Sequence, residues 1–234
     1  GKTISQTTKI TTINNFRSLD VSLNGQGAPL VPVGDLLLFQ KHKYCINLGG
    51  FANISIKTNE KIIAFDICPA NIVLNDICKE LRIEYDSNGD ISREGKIIET
   101  LLQQLNQLDF YIKKAPKSLG REWVEEHIFP ILKKNKPEDL LCTFCEHIAI
   151  QIGKFLADES ALFTGGGVFN SFLIERITFH CKAKILVPNK ELIEFKESLI
   201  FAFLGVLKIR NEVNCLKTVT GADRDNCGGV IHQI

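Results

Sequence analysis

The sequence predicts an α/β protein whose mixed sheet is flanked by helices. Short apolar runs of strand character recur along the chain, separated by longer segments with apolar residues every three or four positions. A further sign is the placement of glycine. Gly49-Gly50 and Gly165-Gly166-Gly167 each follow an apolar run directly, with Asn47, Asn53 and Asn170 close by.

Residues 10–13 read as a short strand in a Thr-, Ile- and Asn-rich opening, and 23–29 as a polar loop closed by Pro29 and Pro32. Strands follow at 44–48, 53–57 and 61–65, with Asn59-Glu60 as the hairpin turn between the last two. Over 71–82 the period changes, placing Ile72, Leu74, Ile77, Cys78 and Leu81 on one helical face. A turn at 86–90 leads to a helix over 95–108. The loop 115–122 precedes another, which Pro130 kinks. Leu141, Phe144, Ile148, Ile152 and Phe155 make one stripe of a helix over 138–156. A buried strand at 160–164 enters the triple glycine and a helix resumes over 170–177. A strand at 184–187 and a long, mostly buried helix over 191–209 complete the alternation.

Composition narrows the function. Lys plus Arg number 28 against 27 Asp plus Glu, so no basic field argues for nucleic acid. The longest apolar stretch, 199–207, falls short of the roughly 18 to 20 residues that span a bilayer, so no membrane is expected. Nothing at the start resembles a signal peptide, which points to the cytoplasm. The eight cysteines sit mostly in apolar periodic segments. Cys142 and Cys145 have metal-like spacing but lack a second pair, so packed, reduced thiols are expected rather than a metal site. The chain has no Met, even at position 1, and is expected to be a fragment or a processed product.

The glycine turns suit phosphate, because a chain without Cβ atoms lets backbone N–H groups approach an anion closely. Gly165, Gly166 and Gly167 also open a helix, where the dipole favours negative charge. Each turn reads equally as plain chain geometry, and neither fits the Walker A or GxGxxG pattern. Asp66 ends an apolar strand, the usual mouth of an α/β site, so its carboxylate is functional, paired or a helix cap. Glu197, at the edge of the long apolar helix, either faces a cleft or pairs locally. Arg17 and Asp20 could pair with each other, and His147 reads as a packed or solvated helix residue.

Taken in order, these segments resemble the anhydro-N-acetylmuramic acid kinase family, sugar kinases of the actin-like ATPase superfamily. Phe16-Arg17 with Asp20 is similar to the family's FRxxD element, and residues 24–32 to its GGQGAPLVP element. Residues 47–54 resemble NIGGIANI, 65–71 FDTGPGN, and 116–122 PKSTGRE. Gly165-Gly166-Gly167 with Asn170 matches GGGxxN; 197–202 looks like EALAFA and 220–222 like TGA. Within 65–71 the family's Thr becomes Ile67 and two glycines become Cys68 and Ala70, while Asp, Pro and Asn remain.

The resemblance implies an actin-like ATPase (ribonuclease H-like) fold and ATP-dependent conversion of 1,6-anhydro-N-acetylmuramic acid to its 6-phosphate. It implies Asp66 as general base, with Arg17, Asp20, Asn71 and Glu197 on the amino sugar. Gly49, Gly50, Gly165, Gly166, Gly167 and Asn170 would lie on the nucleotide, with Mg²⁺ neutralising the phosphates. It also implies a homodimer. The family's opening GTSxDG and HGQT elements have no counterpart, so 1–43 is expected to be the tail of a first lobe and 44–234 the second, nucleotide-binding lobe. A non-catalytic nucleotide-binding module, or a kinase for another amino sugar, stays open.

Overall fold

The computed structural model describes residues 1–58, 61–132 and 135–234. The turn expected at Asn59-Glu60 lies outside these. The chain opens with α1 (Lys2–Thr8), β1 (Thr12–Asn14), α2 (Ser18–Ser22) and α3 (Val31–Leu38), then β2 (Tyr44–Leu48), β3 (Phe51–Lys57) and β4 (Ile62–Pro69). Next come α4 (Asn71–Glu80), α5 (Asp90–Glu94), α6 (Glu99–Asn106), α7 (Arg121–His127), α8 (Phe129–Leu132), α9 (Pro137–Gly153) and β5 (Ser160–Thr164). It finishes with α10 (Ser171–His180), β6 (Lys184–Leu186), α11 (Lys190–Ile209), α12 (Lys217–Thr220) and β7 (Val230–His232).

Five strands form one sheet in the order β4-β3-β2-β5-β6. β2 runs antiparallel to β3 and parallel to β5, and β5 is parallel to β6, so the sheet is mixed as the alternation predicts. The central β2 and β5 are covered on both faces, burying Ile46, Leu48, Ala161 and Phe163 completely, which explains their unbroken apolar runs. The edge strand β4 corrects one expectation. It continues through Pro69, so Asp66 stands inside the strand rather than at its end. An edge strand has a side without ladder partners and tolerates the missing N–H of proline. Nor does Asp66 cap the helix, because α4 starts from Ala70.

Chain contacts divide the protein into two compact units. One comprises Gly1–Gln40, Lys57–Ala64 and Phe195–Ile234; the other comprises Lys41–Ile56 and Phe65–Glu194. In the second, α9 is the central helix, buried throughout residues 140–149. Pro137 at its first turn needs no N–H partner, and Glu138 and Asp139 complement its dipole. The helix expected over 95–108 starts later, as α6 at Glu99, while the preceding turn leads into the short helix α5, which ends at Glu94, so the chain is not helical around Gly95. There the Glu138 carbonyl comes so near that a Cβ would collide with it.

In the first unit Leu30, Val33, Ile200, Leu204, Leu207 and Cys215 form a core, and β1 pairs antiparallel with β7. α3 was hidden in the sequence by Pro32 and Gly34. Pro32 falls in its first turn, where no N–H is required, and Gly34 lies against the Ile200 side chain. α11 is less buried than its composition suggests: Phe195, Leu199, Val206 and Ile209 are exposed while Ile200, Leu204 and Leu207 are enclosed. Among the described residues no helix is long and apolar enough to cross a membrane.

Candidate active site

In the second unit three of the sequence elements meet at one end of β2 and β5, and a fourth, 116–122, joins one of them at Asp66. The two strands run side by side with Asn47 opposite Thr164, so Gly49 and Gly165 leave the sheet together. Gly49-Gly50 turns the chain into β3 and docks on the start of α4. Gly50 O accepts from Ala70 N at 2.8 Å and Ile72 N at 3.1 Å, and Gly49 O accepts from Asn71 N at 3.2 Å. The Asn71 side chain donates to Leu48 O at 3.3 Å, so it braces the same turn. Asn47 and Asn53 stand directly opposite one another across the hairpin.

The three glycines of the second turn have separate reasons to be glycine. Gly165 has φ 87°, and a Cβ there would come to 2.5 Å from Asn47 Oδ1 and 2.8 Å from Leu48 O. At Gly167 a Cβ would lie 2.8 Å from Leu48 Cβ. Both are required by the packing. Gly166 is exposed and a Cβ there would touch nothing; Gly50 is exposed and would meet only Ile72 Cβ at 3.8 Å. The fold makes no steric demand for glycine at 50 or 166. Asn170 is an N-cap, its Oδ1 accepting from Leu173 N at 2.8 Å to start α10.

Asp66 is half-buried on β4. Its backbone N–H donates to Lys117 O at 3.1 Å, and its Oδ2 accepts from Leu119 N at 2.9 Å. Burial raises its pKa above the usual aspartate value, and the Leu119 N–H offsets only part of that rise. The segment resembling PKSTGRE is therefore the one that holds the carboxylate. Its resemblance marked it, but composition and periodicity did not link it to Asp66.

The first unit brings together three more elements around Asp20, which is completely buried. Asp20 Oδ2 accepts from Gly27 N at 2.8 Å. Oδ1 accepts from Thr220 Oγ1 at 2.8 Å, Cys215 Sγ at 3.0 Å and Asn226 Nδ2 at 3.0 Å. Burial alone would raise its pKa, but these donors together hold it below the ordinary value. Arg17 is exposed and donates from Nη1 to Gly27 O at 2.5 Å, so Arg17 and Asp20 grip both sides of the loop rather than each other. Gly25 passes so close to the Asp20 carboxylate that a side chain would collide with it. Glu197 is exposed on α11, while its neighbour Lys196 turns inward to Asp35 at 2.7 Å.

His147 lies outside this constellation. It is completely buried, with Nδ1 2.8 Å from Asn106 Oδ1 and Nε2 2.8 Å from the Tyr111 hydroxyl, and burial lowers its pKa to about 3. All eight cysteines are thiols, none of them in a disulfide. Among the described residues no group of three or more His, Cys, Asp or Glu side chains is arranged to hold a metal.

These clustered elements agree with comparison to known proteins. The family described as anhydro-N-acetylmuramic acid kinase matches residues 1–233. The chain belongs to that family. Relatives bearing the name occur in Bacillus cereus strain ATCC 10987 (31% identical, covering 94% of this chain and 64% of the relative) and in Francisella tularensis subsp. novicida (34%, 94% and 64%). Another, from Aliivibrio fischeri, is 34% identical over 98% of this chain and 67% of its own length. The chain thus spans just under two thirds of the length of several anhydro-N-acetylmuramic acid kinase relatives. A looser likeness, at TM-score 0.45 and 14% identity, covers 73% of this chain and 63% of component A of the Acidaminococcus fermentans (R)-2-hydroxyglutaryl-CoA dehydratase.

Proposed function

We propose that this chain works in the ATP-dependent conversion of 1,6-anhydro-N-acetylmuramic acid and water to N-acetylmuramic acid 6-phosphate during cell-wall recycling. The observation that carries the reading is Asp66, a half-buried carboxylate of raised proton affinity aimed by Leu119 N–H. Such a group is a stronger base near neutrality than an ordinary aspartate. In this reading Asp66 takes a proton from water, whose oxygen bonds to the anomeric carbon as the bond to O6 breaks. O6 then bonds to the γ-phosphorus and ADP leaves.

Gly50 and Gly166 support the nucleotide assignment. Both are exposed, and neither needs to be glycine for the chain's own packing, so their bare backbones suit the approach of phosphate. Gly49, Gly165, Gly167 and Asn170 shape those turns. Arg17, Asn71 and Glu197 are assigned to the sugar, and Asp20 serves the same end by shaping the loop that Arg17 grips. Among the described residues no three metal-ligating side chains cluster, so magnesium would be held chiefly through the ATP phosphates, whose charge it would neutralise. The same reading makes the fold actin-like, gives the nucleotide to the unit of Lys41–Ile56 and Phe65–Glu194 rather than to all of 44–234, places the protein in the cytoplasm and makes a homodimer its expected assembly.

The test is formation of the sugar 6-phosphate from ATP and the anhydro sugar by the chain within its whole gene product, followed by mass spectrometry. Asp66→Asn is expected to slow it by about 10² to 10⁴-fold. Undiminished product from Asp66→Asn, or ATP binding with no response to the anhydro sugar, would overturn the assignment.

A further inference from the structure

Lys117 is half-buried and its ammonium lies among three phenylalanine rings. Nζ stands 4.4 Å from the Phe110 ring centroid and 5.9 Å from those of Phe65 and Phe155. It donates to Phe110 O at 3.2 Å. Cation–π attraction to several faces, strengthened by partial desolvation, fixes such a group more firmly than a solvated surface contact would. Two residues of the same loop reach Asp66: the Lys117 carbonyl takes the Asp66 N–H, and the Leu119 N–H holds the carboxylate. The cage and the clamp are therefore ends of one three-residue strap. One of the cage rings, Phe65, belongs to the residue preceding Asp66.

We propose that Lys117 is a positioning residue for Asp66: its caged ammonium anchors the 117–119 strap, which sets the direction of the carboxylate. The inference deepens the reading of Asp66 as general base and rests on it for its functional meaning. Lys117 makes no ion pair with Asp66 and acts through the backbone. The other titratable groups around this strand and strap include Cys68 on β4, Lys154 at the end of α9, Lys113, and Tyr111 beside Phe110. Burial pushes the Cys68 thiol far up and lowers Lys117 and Lys154, so the thiol stays neutral at ordinary pH.

The experiment is a ¹³C titration of the Asp66 carboxyl in the chain and in Lys117→Met, which keeps an apolar stem in the cage and removes the cation and donor. Without its anchor the strap releases the Leu119 hydrogen bond, and that bond favours the ionised carboxylate. The Asp66 midpoint is therefore expected to move to higher pH in Lys117→Met and to return in Lys117→Arg, which restores a cation and donor. In the whole gene product the same Met variant is expected to lose roughly tenfold or more in kcat, the scale of one hydrogen bond to a charged group, with KM little changed. If Lys117→Met fails to fold, Phe110→Leu weakens the same cage from its other wall and is expected to shift the midpoint the same way. An unmoved or lowered midpoint in the folded variants overturns the proposal. A raised midpoint in a protein that never phosphorylates the anhydro sugar leaves the strap standing and sinks the general-base reading instead.

Discussion

Alanine at each of two adjacent glycines separates packing from binding. In Gly167→Ala the new methyl lands 2.8 Å from Leu48 Cβ, closer than real Cβ contacts come, and a tight 3.0 Å from Leu48 O, so the turn must shift against a fully buried strand end. Overpacking of this size costs about 2 kcal/mol. For a chain of this length that is a fall in Tm of about 4 to 8 °C. Gly166→Ala meets nothing and requires no left-handed backbone, so its stability is expected to change by less than about 0.5 kcal/mol. If the exposed N–H groups at this turn hold ATP phosphates, the same methyl obstructs them. The loss of one charge-assisted hydrogen bond, about 1.5 to 3 kcal/mol, weakens ATP roughly 10- to 150-fold. Thermal unfolding and calorimetric titration with ATP read the two effects separately. Equal Tm losses in the two variants would refute the packing argument. Unchanged ATP affinity in Gly166→Ala would refute the phosphate assignment.

Three further outcomes follow from buried charge. Because the folded pKa of Asp66 lies above its unfolded value, the native state holds the proton more tightly and stability falls as pH rises through that interval. Asp66→Asn is therefore expected to raise Tm at pH 7 even as it removes activity, with the gain vanishing in acid; denaturation at pH 7 and pH 3 checks this. Asp20 is the opposite case. Its lowered pKa contributes stability above the unfolded value that is lost as pH falls through the folded one. Asp20→Asn puts an amide where Gly27 N–H needs an acceptor, and is expected to cost about 2 kcal/mol at pH 7 in urea unfolding. His147 is held neutral down to about pH 3, so the stability of its site declines between the unfolded value near 6.5 and that point. His147→Phe is expected to flatten this acid slope while costing about 1 to 3 kcal/mol near neutrality, because the Tyr111 hydroxyl loses its hydrogen bond to the ring and Asn106 Oδ1 keeps only Gln151. Urea unfolding from pH 4 to 8 measures both.

Local pattern alone determined the alternation of strands and helices, down to the bounds of the Ser160–Thr164 strand and nearly those of α9, because a short unbroken apolar run records a strand buried on both faces and a period of three to four residues records the buried side of a helix. The ordered elements also marked Asp66 and the two glycine turns. Tertiary structure decided what those marks mean. Asp66 lies within β4 because the strand is at the sheet edge, and strand order is a long-range property invisible to a window of residues. α3 forms despite Pro32 and Gly34 because its first turn needs no proline N–H and Ile200, far along the chain, packs against the glycine. Whether a glycine serves the fold or is free for a ligand depends on where a Cβ would point, and this separates Gly166 from Gly167. Asp20 is engaged by Thr220, Cys215 and Asn226, about 200 residues away, and Asp66 by Leu119, 53 residues on. Hydrogen bonds across such separations leave no periodic trace in the chain; only folding brings the donors within 3 Å.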